Sequence, residues 1–300
     1  MALFAMRDLL SHAQRDGYAV GYFEAFNMDA MLAVLSAAEK ARSPVIIGFG
    51  GQFLSSPKRE KPENVYLYGA LALEAARRSS VPCAAILNEA DDLNMVYQGM
   101  QAGFNALMYQ KAGEKLEDTA RFTKRICEVA HRLGIDVESE VGELPMLNIS
   151  DGSQTRGTNT DVEKAKEYVR ETGIDALAVA IGNIHLLEGS KSSLDFELLS
   201  ALRKEICVPL VLHGGTGVSE ANMKKAIGMG ICKINVGTAL KRAYINAVGR
   251  FYTERDLSRV DPHVTVGWGG ENDMLDSGRT AIERAVLGFM EIFGSAGKVK

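Results

Sequence analysis

The sequence predicts a (β/α)8 barrel, the TIM-barrel fold, with a helical C-terminal tail. Eight short apolar segments rich in β-branched residues alternate with longer segments of helical periodicity. Several predicted helices end in a glycine followed by an apolar residue, for example Gly103-Phe104 and Gly134-Ile135, which is typical of a turn from helix to strand. The length of 300 residues suits one such barrel. The alternative, an open doubly wound sheet, rarely contains eight such regular units.

The elements follow one another in a regular order. A leading helix is predicted at 6–16, and the tail, 240–300, is helical with an irregular interruption at 262–270. The predicted strands are 19–23, 44–48, 83–87, 106–108, 136–140, 176–181, 209–213 and 233–236. The predicted helices between them are 29–42, 65–79, 93–102, 114–133, 161–172, 196–205 and 220–229.

Composition excludes several classes of function. The chain is 46% hydrophobic and 24% charged, and its net charge of −4 argues against a nucleic-acid partner. Neither a signal peptide nor an apolar run of membrane-spanning length is visible, so we expect no membrane partner. The four cysteines show no CxxC spacing and are expected to be buried free thiols of a cytoplasmic protein. We therefore expect a single domain over 1–300.

The segment 208–217 organises the chain. An apolar run typical of a strand buried on both faces stops at His213, and glycines at 214, 215 and 217 follow. Ser219 then provides a cap for the next helix. Glycine backbone near a helix start can direct several N–H groups at one anion, such as a phosphate. The segment 232–238 repeats this arrangement one strand later.

Polar side chains gather where the predicted strands end. Because the carboxyl ends of barrel strands meet at one rim, we expect these side chains to lie close together. Two histidines on adjacent strands, with carboxylates opposite, indicate a site for a divalent cation. The residues are Glu24, Asn88, Glu89, Glu138, Glu140, Asn183, His185, His213 and Asn235.

With these residues in view, the chain resembles the class II, metal-dependent fructose/tagatose-bisphosphate aldolases over nearly its whole length. The resemblance is strongest in the segments AVAIG at 178–182, LHGGTG at 212–217, KINV at 233–236 and FGSAGK at 293–298. It implies an aldolase that acts on a phosphorylated ketose through an enediolate, with one divalent metal ion, zinc by resemblance. It also implies a homodimer or homotetramer, because the helical tails of these barrels commonly pack between subunits.

The resemblance assigns roles residue by residue. Metal-binding histidines of the family match His185 and His213, and a glutamate near the metal matches Glu140. The phosphate and the rest of the substrate are expected at Gly182, Gly214, Gly215, Thr216, Asn235, Gly237 and Thr238.

Several positions depart from the family pattern. Asn88 replaces the aspartate that carries a proton to and from the substrate hydroxyl, and an amide cannot titrate there. Glu89 replaces the third histidine ligand; as a ligand it would move the metal preference toward manganese, iron or magnesium. Glu24 replaces an asparagine, and Gly237 an Asn or Asp that usually touches substrate hydroxyls.

The missing acid/base group needs a replacement. We expect Glu24 or Glu89 to supply it, and we prefer Glu24 because it leaves a strand directly at the rim. Asp91 and Asp92 are weaker candidates, since they can simply begin the next helix. Three functions stay open: an aldolase, a sugar-phosphate isomerase or epimerase using the same enediolate, and a non-catalytic sugar-phosphate-binding homologue.

Overall fold

Eight parallel strands close into a barrel, which confirms the predicted fold class. The computed structural model describes residues 3–145, 153, 155–184 and 192–299. The strands pair in chain order, and β8 returns to pair with β1. They are β1 Val20–Ala25, β2 Val45–Gly50, β3 Cys83–Ala90, β4 Ala106–Tyr109, β5 Asp136–Val141, β6 Ala176–Val179, β7 Leu210–Leu212 and β8 Ile231–Val236.

Helices surround the barrel and form the tail. They are α1 Met6–Asp16, α2 Met28–Ala41, α3 Gly51–Leu54, α4 Val65–Arg78, α5 Leu93–Ala102, α6 Leu116–Ala130, α7 Val162–Thr172, α8 Phe196–Glu205, α9 Glu220–Gly228, α10 Thr238–Thr253, α11 Pro262–Thr265 and α12 Met274–Ile292. Short 3-10 turns occupy His131–Leu133, Gly215–Gly217 and Leu257–Arg259. The short helices α3 and α11 were not predicted.

The largest boundary difference among the strands concerns β3, which continues three residues beyond its predicted end. Its Asn88 still pairs with Gly50 of β2, and its Ala90 pairs with Tyr109 of β4. Polar residues normally favour the end of a strand, but pairing with neighbours on both sides holds this backbone extended. Asn88 and Glu89 therefore lie in the last residues of a strand rather than after it.

Two hydrophobic cores stabilise the barrel. The inner core contains small side chains such as Ala84, Ala106 and Ala178, and α1 closes its lower end with Met6 and Leu10. The outer core lies between the strands and the surrounding helices. Because many inner side chains are small, longer polar side chains have room to cross the barrel above them.

The tail packs against the start of the barrel. Arg279 on α12 binds Asp29 on α2, with Nε 2.6 Å from Oδ1. The ring of Phe293, just after α12, stacks on Phe23 of β1 with centroids 6.2 Å apart. These contacts hold α12 over β1 and α2. The N-terminus of α10 lies at the upper rim because Thr238 comes only two residues after the end of β8.

Two composition-based expectations meet the structure here. Within the described ranges no helix has both the length and the apolar character needed to cross a membrane. All four cysteines are free, but Cys207 is exposed whereas Cys83, Cys127 and Cys232 are buried. The expectation of a buried thiol is wrong for Cys207, which follows the end of α8 and faces outward beside the buried Ile206.

Gly48 of β2 is predicted to be indispensable for barrel closure. A Cβ atom there would lie 1.9 Å from the backbone oxygen of Ile86 on β3, which cannot move without breaking strand pairing. We expect Gly48→Ala to lower the free energy of unfolding by about 3 kcal/mol or more, measured by urea denaturation.

Gly228→Ala is the matched control. Its Cβ would meet nothing within 4 Å at the end of α9, so stability should stay the same or rise slightly. Equal urea midpoints for Gly48→Ala and the wild type would contradict the proposed packing constraint.

Candidate active site

A cleft of about 700 Å³ opens at the carboxyl end of the barrel strands. Several predicted site residues line it together: Glu24, Asn88, Glu89, Gly214, Thr216, Asn235, Gly237 and Thr238. His213 and Glu140 are buried beside Glu89. The structure thus brings most of the predicted residues to one place, as expected for strand ends of a closed barrel.

One predicted residue cannot be compared with this group, and two others are not among the cleft-lining residues. His185 lies outside the described residues. Gly182 packs against the backbone of Ser193, where a Cβ would meet the carbonyl oxygen at 2.2 Å, and Gly215 packs against β8. The roles assigned to all of the predicted site residues stay predictions.

His213 lies at the centre of a buried polar cluster. Its Nε2 is 3.0 Å from Glu138 Oε1, while its Nδ1 is 3.3 Å from Glu89 Oε1 and 3.6 Å from Glu140 Oε2. Asn183 fixes the backbone here, because its Nδ2 donates to the carbonyl oxygen of His213 at 3.0 Å. The position directly after β7 therefore aims the imidazole at three carboxylates.

A lysine within β8 completes the cluster. Lys233 Nζ lies 2.8 Å from Glu138 Oε2 and 2.7 Å from Asn235 Oδ1. Both Lys233 and Glu138 are fully buried. The sequence prediction missed Lys233, although a charged residue inside a strand buried on both faces is itself a signal, since such a charge needs a partner.

The environment shifts several pKa values in this cluster. Burial alone would lower the pKa of His213, but hydrogen bonds to Glu138 and Glu89 outweigh it and raise the pKa to about 9. Burial raises the pKa of Glu140 to about 7 against the attraction of His213. Burial opposes ionisation of Glu138 too, yet Lys233 and His213 together hold its pKa below the usual value.

Glu89 adopts an unusual backbone conformation. Its φ is +49°, in the left-handed region that non-glycine residues rarely occupy, and the pairing of β3 with β4 shifts register between Leu87 and Ala90. Gln52 of α3 holds the side chain, with Nε2 2.5 Å from Glu89 Oε2. Gln52 was missed because α3 itself was not predicted.

The donor chemistry of this cluster fits a divalent cation. An ion held at about 2.1 Å by its ligands separates neighbouring ligand atoms by roughly 3.4 Å. The distances from His213 Nδ1 to Glu89 and Glu140, 3.3 and 3.6 Å, are close to that separation. Glu89, Glu138 and Glu140 together outnumber the two basic groups of the cluster, Lys233 and His213. The described residues do not include His185. By themselves they contain no group of three or more His, Cys, Asp or Glu residues that could hold a metal ion.

Glu24 stands on the other side of the cleft. Its Oε1 lies 3.0 Å from Lys241 Nζ, which also lies 3.9 Å from the centre of the Phe53 ring. A Cβ on residue 237 would lie 2.6 Å from Glu24 Oε2, so Gly237 makes room for this carboxylate. Burial raises the pKa of Glu24, and the charge of Lys241 partly opposes the shift.

The other two acidic candidates differ in role. Asp92 is the N-cap of α5, where its Oδ1 accepts a hydrogen bond from the Asn94 N–H. Asp91 lines the cleft and accepts a hydrogen bond from the Ser55 hydroxyl at 3.2 Å. The interpretation that these residues begin the next helix thus holds for Asp92.

The glycine-rich loop meets the start of α10. Gly214 has a φ of +66°, which glycine tolerates at little cost. The Thr216 hydroxyl accepts a hydrogen bond from the Ala239 N–H at 3.2 Å, while the N-cap residue Gly237 provides no side-chain cap. The N–H groups of Ala239, Leu240 and Lys241 bond to Thr216 and to the carbonyl oxygen of Gly237, and the N-terminus of α10 borders the cleft region lined by Thr216 and Thr238. The positive end of the helix dipole at this point suits an anion.

Comparisons with known proteins identify the family of the chain. The family model described as fructose-bisphosphate aldolase class-II matches residues 4–298. A fructose-bisphosphate aldolase of Geobacillus stearothermophilus is 32% identical, covering 99% of both chains. The protein YdjI of Escherichia coli K12 is 32% identical over 94% of both chains.

Solved structures give the same answer. The crystal structure titled as the YdjI aldolase of Escherichia coli K12 superposes with a TM-score of 0.82 and 31% identity, covering 99% of this chain and 100% of that one. A putative fructose-1,6-bisphosphate aldolase of Coccidioides immitis gives 0.80 and 25% identity, covering 98% and 97%. The chain therefore belongs to the class II fructose-bisphosphate aldolase family and is an enzyme of the class II aldolase type.

Proposed function

We propose that this protein is a divalent-metal-dependent aldolase that acts on a phosphorylated ketose through an enediolate. The observation that supports this most directly is the buried cluster of His213, Glu89 and Glu140 beside a cleft whose rim includes the start of α10. Membership of the family and the name of the Geobacillus stearothermophilus relative support a ketose phosphate as the substrate class.

His213, Glu140 and Glu89, together with His185, would hold one divalent ion. When bound, that ion supplies a Lewis acid that polarises the ketone of the substrate. Zinc is the choice by family resemblance. Because Glu89 offers oxygen where the family has an imidazole, manganese, iron or magnesium would be favoured more than in the usual three-histidine site.

The phosphate would lie between the glycine-rich loop and α10. Backbone N–H groups of Gly214, Gly215 and Thr238, the hydroxyl groups of Thr216 and Thr238, and the backbone of Asn235 are the proposed contacts. Gly182 is proposed to lie at the edge of this phosphate site. The positive end of the α10 dipole favours an anion at this point.

Glu24 is proposed to carry the proton that Asn88 cannot. In the cleavage direction its carboxylate accepts the proton of the substrate hydroxyl, the adjacent carbon–carbon bond breaks, and an aldehyde leaves. The bonding electron pair stays on the ketose phosphate fragment as the enediolate, which then takes a proton on carbon. Burial of Glu24 supports a base active nearer neutral pH than an exposed glutamate would be.

An isomerase or epimerase is the second candidate, and Asn88 favours it. The Oδ1 atom of Asn88 is buried and accepts no hydrogen bond from any described residue. An enediolate exchange does not need the lost hydroxyl proton carrier, whereas cleavage does. A homologue that binds the sugar phosphate without chemistry is the remaining alternative.

The assembly and location are also proposals. We propose one domain over 1–300, with the tail at 240–300 contacting a second subunit in a homodimer or homotetramer. Exposed apolar side chains on the tail, such as Ile245 and Trp268, support a subunit contact there. Cytoplasmic location stays an expectation from the sequence.

Deuterium exchange tests the reaction. The protein, dihydroxyacetone phosphate and a divalent metal are incubated in deuterium oxide with and without an aldehyde, and both label and product are followed by NMR. Exchange together with aldehyde-dependent product is expected for an aldolase. Exchange without any product would favour the isomerase or epimerase, and neither signal would leave only the binding role.

Metal content tests the proposed ligands. Protein purified without chelator should contain about one divalent ion per chain, and His213→Ala should lose it along with exchange activity. His263→Ala is the control, because this exposed histidine of α11 lies away from the cleft. A metal-free wild type at micromolar metal, or full metal content in His213→Ala, would contradict the ligand set.

Glu24→Gln separates the two proton transfers. The variant should lower aldehyde-dependent bond formation by about 100-fold or more while exchange at carbon stays within about threefold of wild type. Glu143→Gln removes an exposed carboxylate of the same cleft and should change neither rate. Lys241→Met keeps the base Glu24 but removes its counter-ion. If bond formation were much slower in Lys241→Met and unchanged in Glu24→Gln, the proton-carrying role would belong to Lys241.

A further inference from the structure

Tyr22 of β1 is a cleft residue to which the proposed mechanism gives no role. Its side chain is 1% exposed and lines the cleft two residues before Glu24. Its hydroxyl has no hydrogen-bond partner anywhere in the described ranges. Buried hydroxyls without partners are rare in folded proteins, so this one calls for a ligand or another explanation.

Asn235 on the neighbouring strand shows the same feature. Tyr22 and Asn235 are Cα partners in the pairing of β1 with β8, so their side chains start about 5 Å apart. The Nδ2 atom of Asn235 is buried and, among the described residues, donates no hydrogen bond. Two polar groups that lack partners thus stand side by side along the same cleft.

The orientation of the Asn235 amide is fixed from behind. Lys233 Nζ, which can only donate, lies 2.7 Å from Asn235 Oδ1, so the amide oxygen must face the lysine. Glu138 holds the lysine with contacts of 2.8 and 3.0 Å. The NH2 group of the Asn235 amide is therefore turned away from Lys233. The amide oxygen already accepts a hydrogen bond from the lysine.

The phenol of Tyr22 also serves as a donor. Burial raises its pKa well above 10, and the charges of Glu24, Glu89 and Glu138 raise it further. The O–H group consequently stays protonated at any working pH. With the amide oxygen already engaged, the pair recognises an acceptor, and an oxygen that gains negative charge is the best acceptor for two converging donors.

We propose that Tyr22 Oη and Asn235 Nδ2 form a paired donor site for one oxygen of the ketose phosphate, the oxygen that becomes negative when the proton leaves carbon. This inference rests on the proposed function. Tyr22 is then a substrate-contacting residue, while Lys233 and Glu138 are positioning residues that keep the Asn235 amide turned toward the substrate.

Tyr22→Phe is the direct test, since it removes only the hydroxyl. Dihydroxyacetone phosphate and the divalent metal found in the protein are the probes. We expect the exchange kcat to fall about tenfold with a smaller change in KM, because the contact strengthens as charge develops. Thermal stability of the free variant should stay equal or rise, since the hydroxyl has no protein partner to lose.

Tyr18→Phe is the matched control. Tyr18 is equally buried, but its hydroxyl lies 3.1 Å from His12 Nδ1, with α1 at the opposite end of the barrel. It should lower stability slightly and leave exchange unchanged. Asn235→Ala and the double variant complete a cycle, in which the combined loss should be smaller than the product of the single losses.

The outcomes separate this inference from the proposed function. Wild-type exchange together with a Tyr22→Phe variant of unaltered kcat and KM would overturn the inference alone. A Tyr22→Phe variant that loses stability but keeps full exchange would overturn it too, because the phenol would then serve packing. If the wild type binds dihydroxyacetone phosphate without exchange, calorimetric affinity decides: weaker binding by the variant, by less than about tenfold, is expected, and unchanged affinity would overturn the inference. Absence of both binding and exchange in the wild type would overturn the proposed function and this inference with it.

Discussion

The ion pair between Lys233 and Glu138 is the interaction on which the rest of the site depends. Both side chains are fully buried in the barrel interior, with Nζ 2.8 Å from Oε2. Removing two charges from water costs several kcal/mol for each charge. The pair is tolerated because both side chains make further hydrogen bonds inside the barrel. Glu138 also binds His213, and Lys233 also binds Asn235. One buried pair thereby orients an imidazole on one side and an amide on the other.

This arrangement divides the cleft into regions of different chemistry. On the side of His213, carboxylates exceed the positive charge available, which favours a bound cation. On the side of Asn235, the buried donors Tyr22 Oη and Asn235 Nδ2 have no acceptor among the described residues, and the N-terminus of α10 adds the positive end of its dipole. The cleft thus offers a cation site, a donor pair and an anion site in this spatial order. A substrate that carries a ketone next to a phosphate matches that order.

The barrel was predictable because its signals are local, whereas much of the site was not. Strand and helix patterns alternate along the whole chain and several helices end at a glycine, and His213, Glu140 and Asn235 follow from where strands end. Gln52 and Lys241 escaped prediction because they meet Glu89 and Glu24 across 37 and 217 residues of chain. The inward turn of Glu89 depends on a register shift and a positive φ, and no local sequence pattern predicts either.

The departures from the family pattern are physically coupled, which argues for altered chemistry rather than decay. The carboxylate of Glu24 occupies space that a side chain at 237 would enter, so glycine at 237 accommodates glutamate at 24 in this position. Lys241 neutralises that carboxylate. Glu89, in place of a histidine, has Gln52 as a specific donor. Random loss of function would leave buried charges without compensation, and such charges are costly enough to unfold a domain. Here Glu24 pairs with Lys241 and Glu89 with Gln52, which is the compensation expected of substitutions that retain function.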